Sequence, residues 1–209
     1  MSNKVIVFTR CATMTTSPDI LAKIAATKET RAEELDLSGT YHNRGSLTTI
    51  PEEVSKLEWL VRLKINWHYI KEIPEHLSRL TNLQELNLND NQIKEIPEHL
   101  SCLSNLEYLG LGVNQIKEIP EHLSRLSKLQ QLRLWDNQIK KIPASVVNLP
   151  NLIAFDVNEN PIASPPPEIV AQGLEGMRNY FQQLWEEGSD YLYEAKLIIV
   201  GEAGAGKLV

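Results

Sequence analysis

One stretch of 23 residues is written several times over. Leu83–Asn105 reads LQELNLNDNQIKEIPEHLSCLSN, and the next 23 residues, Leu106–Lys128, read LEYLGLGVNQIKEIPEHLSRLSK. The shared frame is LxxLxLxxNxIxxIPxxLxxLxx. A unit this short cannot enclose its own apolar side chains. Neighbouring copies must stack and bury them jointly, which restricts the chain to an open, repetitive architecture.

Each column of the frame has a physical reason. Leu86 and Leu88 alternate with Glu85, Asn87 and Asn89, the period of a strand with one buried face. Stacked copies pair these strands as a parallel sheet. Asn91, Asn114, Asn137 and Asn160 follow the strands at the same 23-residue spacing. Their amides can bond the backbone of their own turn and of the neighbouring one. Ile-Pro recurs at 73–74, 96–97, 119–120 and 142–143. Proline fixes its own φ and holds the residue before it extended. The outer side therefore starts extended and then makes one short helical turn, as over Glu98–Leu103. The frame is the leucine-rich repeat signature. It implies a right-handed α/β solenoid with a curved parallel sheet on its concave side.

The organisation follows. Residues 1–16 are an unassigned leader in which only Val5–Phe8 is continuously apolar. Residues 17–31 form an N-terminal capping helix, opened by Ser17-Pro18-Asp19 with Ile20, Leu21 and Ile24 on its apolar face. Repeats occupy 32–174. The first, Ala32–Trp59, is 28 residues long, with its five extra residues in the loop Ser38–Ser46. Copies of 23 start at Leu60, Leu83, Leu106 and Leu129, and a sixth begins at Leu152. Pro165-Pro166-Pro167 ends the pattern. Residues 168–187 read as a C-terminal capping or connecting helix, with Ile169, Leu174, Met177, Phe181, Leu184 and Trp185 as its packed stripe.

A net charge of −6 weighs against nucleic acid or an anionic membrane as a partner. The two cysteines, Cys11 and Cys102, lie far apart and form no cysteine-rich cap. That usage, with no apolar run of signal-peptide or membrane-spanning length, points to the cytoplasm rather than to an extracellular receptor.

The outward positions of the strands are the candidate partner surface. They include Arg62, Lys64 and Trp67 in the second copy, Tyr108 and Val113 in the fourth, and Arg133, Trp135 and Asp136 in the fifth. Trp135, Tyr108 and Val113 should lie near one another with Arg133 beside them. Large side chains on an open strand face are costly to leave in water and are enriched at interfaces. His68 stands where the asparagine column predicts Asn. It is either a substitution that keeps the hydrogen bonding or a pH-sensitive or ligand-contacting site. His76, His99 and His122 form a column because the copies are near-identical, and no metal site is expected from them. The Lys71/94/117/140 and Glu72/95/118 columns read as a solvated face, and Cys102 as incidental.

The last residues carry a different motif. Lys196-Leu197-Ile198-Ile199-Val200 reads as a buried strand, and it runs into GEAGAGK, in which Gly201, Gly206 and Lys207 fit the GxxxxGK phosphate loop. Glycines let backbone N–H groups wrap a phosphate, and the lysine adds a charge. The following position, normally Ser or Thr, is Leu208. The order of repeats, PPPEIVAQGLEGMRNYFQQL and KLIIVGEAGAGK resembles the N-terminal part of bacterial Roco proteins. In that family a leucine-rich repeat domain precedes a Ras-like GTPase domain and a dimerising domain. The resemblance covers residues 20–207 and implies that 190–209 is the first strand and phosphate loop of an incomplete GTPase domain. It also implies GTP or GDP and Mg²⁺ as ligands of a full-length parent, with no cofactor and no catalysis for the chain as it stands. Two functions follow: a regulatory or recruiting module that binds a protein partner, or the GTPase domain of its own parent, through the concave sheet; or the front of a GTP-binding and hydrolysing protein.

Overall fold

The computed structural model describes residues 16–187. The six apolar-centred segments pair in sequence order into one parallel sheet. The strands are β1 (Glu34–Asp36), β2 (Arg62–Lys64), β3 (Glu85–Asn87), β4 (Tyr108–Gly110), β5 (Gln131–Arg133) and β6 (Ala154–Asp156). The register is uniform: Leu35, Leu63, Leu86, Leu109, Leu132 and Phe155 lie in one row. The leucines of that row are fully buried from Leu63 to Leu132, and each contributes roughly 2 kcal/mol by leaving water.

Opposite each strand, the proline-initiated segment closes into a single 3-10 turn. These turns are Glu52–Lys56, Glu75–Arg79, Glu98–Cys102 and Glu121–Arg125, and the fifth, α2 (Ala144–Val147), is a short α-helix. Leu77, Leu100, Leu123 and Val146 point inward from them and meet the strand leucines. The core is thus one continuous apolar column along the stack.

Asparagine welds each copy to the one before it. Asn114 Oδ1 accepts from Ile93 N–H (2.9 Å), while Nδ2 donates to the carbonyls of Leu88 (3.1 Å) and Leu111 (3.1 Å). Asn91, Asn137 and Asn160 repeat the pattern. All but Asn160 are buried, so each bond is made where water cannot replace it.

At the front, α1 (Pro18–Thr30) lays Ile24 and Thr27 on the first copy. Trp59 Nε1 donates to the Ala32 carbonyl (3.1 Å), and Arg31 stacks 5.0 Å from the Trp59 ring. At the back, the expected single helix over 168–187 is two. α3 (Pro167–Val170) stops, Gly173 takes a φ of +75°, and α4 covers 173–187. Glycine adopts that left-handed turn without a Cβ clash, so the chain changes direction there. The apolar stripe is also shorter than its sequence suggests. Met177 is buried and Leu174 and Phe181 pack partly, but Leu184 and Trp185 are exposed, Trp185 by 78%. Arg178 ties α4 to the stack by donating to the carbonyls of Val147 (3.1 Å) and Leu152 (2.9 Å).

Among the described residues no helix is long and apolar enough to cross a membrane. Gly201, Gly206 and Lys207 lie outside the described residues.

Candidate functional site

Side chains that alternate with the buried leucines stand on the open face of the sheet. In the fourth copy two of these positions are glycine, Gly110 at the end of β4 and Gly112 just beyond it. A Cβ on Gly110 would meet the Tyr108 ring and hydroxyl at 3.0 Å, and one on Gly112 would meet Trp135 Nε1 at 2.3 Å. The tyrosine therefore leans across Gly110, and the indole lies on Gly112. Both glycines are buried by these rings, which form one shelf in the middle of the face. Val113 adjoins it, with its N–H donating to the Trp135 carbonyl (2.9 Å). Arg133, the register partner of Gly110, borders the shelf and faces Asp156 at 3.6 Å. Tyr108, Val113, Arg133 and Trp135 are thus one patch, with Asp136 next to Trp135 in the chain.

Arg62, Lys64 and Trp67 belong to a different region, two strands away. Glu34 accepts from Arg62 Nε (2.9 Å) and Lys64 Nζ (2.9 Å). The hydrogen bond from Lys64, and then that from Arg62, holds the Glu34 carboxyl below its usual range. These cations already have carboxylate partners, so this end of the face is a closed polar network.

Two features of the face escape a reading of the repeat frame. The first is a second side-chain ladder. Ser38 Oγ accepts from Asn66 N–H (3.1 Å), Asn66 Oδ1 from Asn89 N–H (2.9 Å), and Asn89 Oδ1 from Gly112 N–H (2.7 Å). Asn66, expected to face outward, is buried in this ladder. The ladder stops at Gly112, which has no side chain to pass on. The asparagines at 66 and 89, 23 apart, were its only sequence signal. The second is a column of left-handed backbone: Trp67 (φ 56°), Asp90 (59°), Val113 (53°), Asp136 (51°) and Glu159 (55°). Aspartate tolerates this region, whereas Val113 and Trp67 are strained there.

His68 is a structural member of the asparagine ladder. Nδ1 accepts from Leu47 N–H (3.1 Å), and Nε2 lies 2.7 Å from the Leu37 carbonyl, to which it donates. Asn91 makes the same two connections to Ile70 and Ile65. The longer imidazole reaches across the longer first copy. Only the neutral ring can accept at Nδ1. Burial pushes the His68 pKa down from its ordinary value. The unfolded imidazole, near 6.5, therefore binds a proton before the folded one does. The stabilisation is complete above about pH 6.5 and falls as the pH drops below it. His76, also depressed by burial, acts in the same direction. The melting temperature should fall between pH 7 and pH 5.5; an unchanged value would remove the neutral-imidazole assignment. His76, His99 and His122 each bury an Nε2 without a hydrogen-bond partner on the outer turns.

Comparison with known proteins agrees with this geometry. A leucine-rich repeat region model matches residues 94–179, and a leucine rich repeat model matches residues 58–116. An internalin (inlF) of Listeria monocytogenes superposes with a TM-score of 0.52 at 30% identity, over 59% of this chain and 35% of that one. The ectodomain of the Arabidopsis thaliana receptor kinase SOBIR1 gives 0.52 at 26% identity, over 61% and 69% respectively. The fold is a leucine-rich repeat solenoid. The ectodomain of the Arabidopsis receptor kinase GASSHO1/SCHENGEN3, solved in complex with CASPARIAN STRIP INTEGRITY FACTOR 2, superposes at 0.57 with 28% identity. It matches 66% of this leucine-rich repeat chain, which spans only 17% of it. No curated protein matches by sequence.

Proposed function

We propose that this leucine-rich repeat chain is a non-catalytic module that binds a protein partner through its concave face, centred on Tyr108, Val113, Arg133, Trp135 and Asp136. The aromatic shelf on Gly110 and Gly112 carries this reading. Two glycines in one copy give up side-chain packing, and two large rings occupy the space while keeping one side open. Rigid aromatics in such a position bring large contact area at little entropic cost. That a neighbour of this fold was solved in complex with CASPARIAN STRIP INTEGRITY FACTOR 2 supports a binding role.

The finer reading is that the module recruits partners for, or regulates, a cytoplasmic Roco-like protein. The sequence order of repeats, connecting helix and GEAGAGK supports it. That motif also supports the second reading, the front of a GTP-binding protein. An intact mass of the native protein well above 23.7 kDa would support both versions of a larger parent. The interaction itself is tested by capture from source extract. Trp135→Ala should lose the partner while its urea stability changes by no more than about 1 kcal/mol. Equal capture by the folded variant would remove the proposal.

A further inference from the structure

The left-handed column lines the rim where the strands end, and the chain itself shows what this rim can hold. Arg44, on the extra loop of the first copy, reaches over it. Its Nη1 donates to the carbonyls of His68 (3.1 Å) and Asp90 (3.0 Å). Nη2 stands 3.8 Å from Asp90 Oδ1, and the guanidinium lies 5.8 Å from the centre of the Tyr69 ring. One arginine thus finds two backbone carbonyls, a carboxylate and an aromatic ring.

Further along the same rim the carboxylates recur without the arginine. Asp136 and Glu159 are exposed and occupy equivalent positions in adjacent copies, about 4.8 Å apart at the spacing of paired strands. Among the described residues neither forms an ion pair. Among the described residues the ion pair here is Asp156 with Arg133, which leaves Asp136 and Glu159 as uncompensated acids. Trp135 adjoins Asp136 in the chain, its indole leaning toward Gly112, and cations stack favourably on indole. Gly112 ends the second ladder here, so the Trp135 N–H receives no side-chain acceptor from the preceding copy, unlike the N–H of Asn89 or Gly112.

We propose that the rim at Asp136 and Glu159, beside Trp135, docks an arginine carried on an extended segment of a partner protein, as Asp90 holds Arg44. The inference deepens the concave-face reading and rests on it. The partner's guanidinium pairs with the two carboxylates, and its stem crosses Val113 and the indole. The planar, multi-donor guanidinium suits this mixed set better than the compact ammonium of lysine.

Selection from a phage-displayed library of random linear peptides, on the full chain, tests this. The selected peptides should be enriched in arginine. Changing that arginine to alanine should weaken binding about tenfold, as should Asp136→Asn with Glu159→Gln in the protein. Asparagine accepts left-handed backbone, so the first substitution preserves the rim. Peptides without arginine, or binding indifferent to the double substitution but lost in Trp135→Ala, would overturn the arginine site and keep the concave face. Binding indifferent to Trp135→Ala as well would overturn both. No selected peptide, with self-association that the double substitution abolishes, would overturn it in favour of a second copy as occupant.

Discussion

Asn114→Ala costs about 4 kcal/mol of stability. The side chain is buried and bonded to two copies at once. It accepts from Ile93 N–H and donates to the carbonyls of Leu88, Leu111 and Gly112. Alanine strands the Ile93 N–H, at about 1–3 kcal/mol, and takes one bond from each of the three carbonyls, at about 1 kcal/mol apiece, since Leu88 keeps Asn91 Nδ2, Leu111 keeps Asn137 Nδ2 and Gly112 keeps the Asp90 N–H. Asn114 sits in the middle of the stack, where coupling between neighbours holds the two halves together. Urea denaturation should show a lower midpoint and a shallower slope as the halves begin to unfold separately. A loss below about 1 kcal/mol, the range of exposed substitutions, would mean that the ladder is decorative.

Gly45→Ala is expected to cost about as much, for a different reason. An added Cβ would lie 1.8 Å from His68 Cε1 and 2.2 Å from Nδ1. The ring cannot step aside, because both its nitrogens are bonded to backbone. Either the first copy shifts, or the imidazole leaves and strands the Leu47 N–H and the Leu37 carbonyl. Overpacking of about 1–3 kcal/mol adds to the unmade bonds. A double-mutant cycle separates these terms. With His68→Ala in place the pocket is empty, so Gly45→Ala should add little. Urea midpoints for the four proteins give the coupling; simple additivity would show that the two residues are independent.

These two residues mark what a repeat frame reveals and what it hides. The strand positions, the inward leucines and the asparagine column follow from period and alternation, because each copy repeats the same local chemistry. His68 breaks the asparagine column visibly, and hydrogen bonding was one of two open readings. Its dependence on Gly45 was hidden, because the two meet only through the five extra residues of the first copy. The second ladder was hidden because Asn66 and Asn89 occupy positions that the frame leaves free. The shelf of Tyr108 and Trp135 was legible as a neighbourhood, but not as rings lying on glycines. Val113 and Trp67 hide the left-handed rim, since only Asp90 and Asp136 advertise it. The stripe on α4 was overread: Leu184 and Trp185 keep helical spacing with Met177, yet nothing among the described residues covers them.

Partner binding by the shelf is the central claim, and a matched pair of variants in capture from source extract tests it most directly. Trp135→Ala changes the concave shelf. A bulky maleimide on Cys102, a free thiol exposed on an outer turn, changes the opposite side once Cys11, the other cysteine, is replaced by serine. The account predicts that the first protein loses the partner and the second keeps it, with both folded. Capture that survives Trp135→Ala and is blocked by the Cys102 adduct would place the interaction on the outer turns and contradict the account.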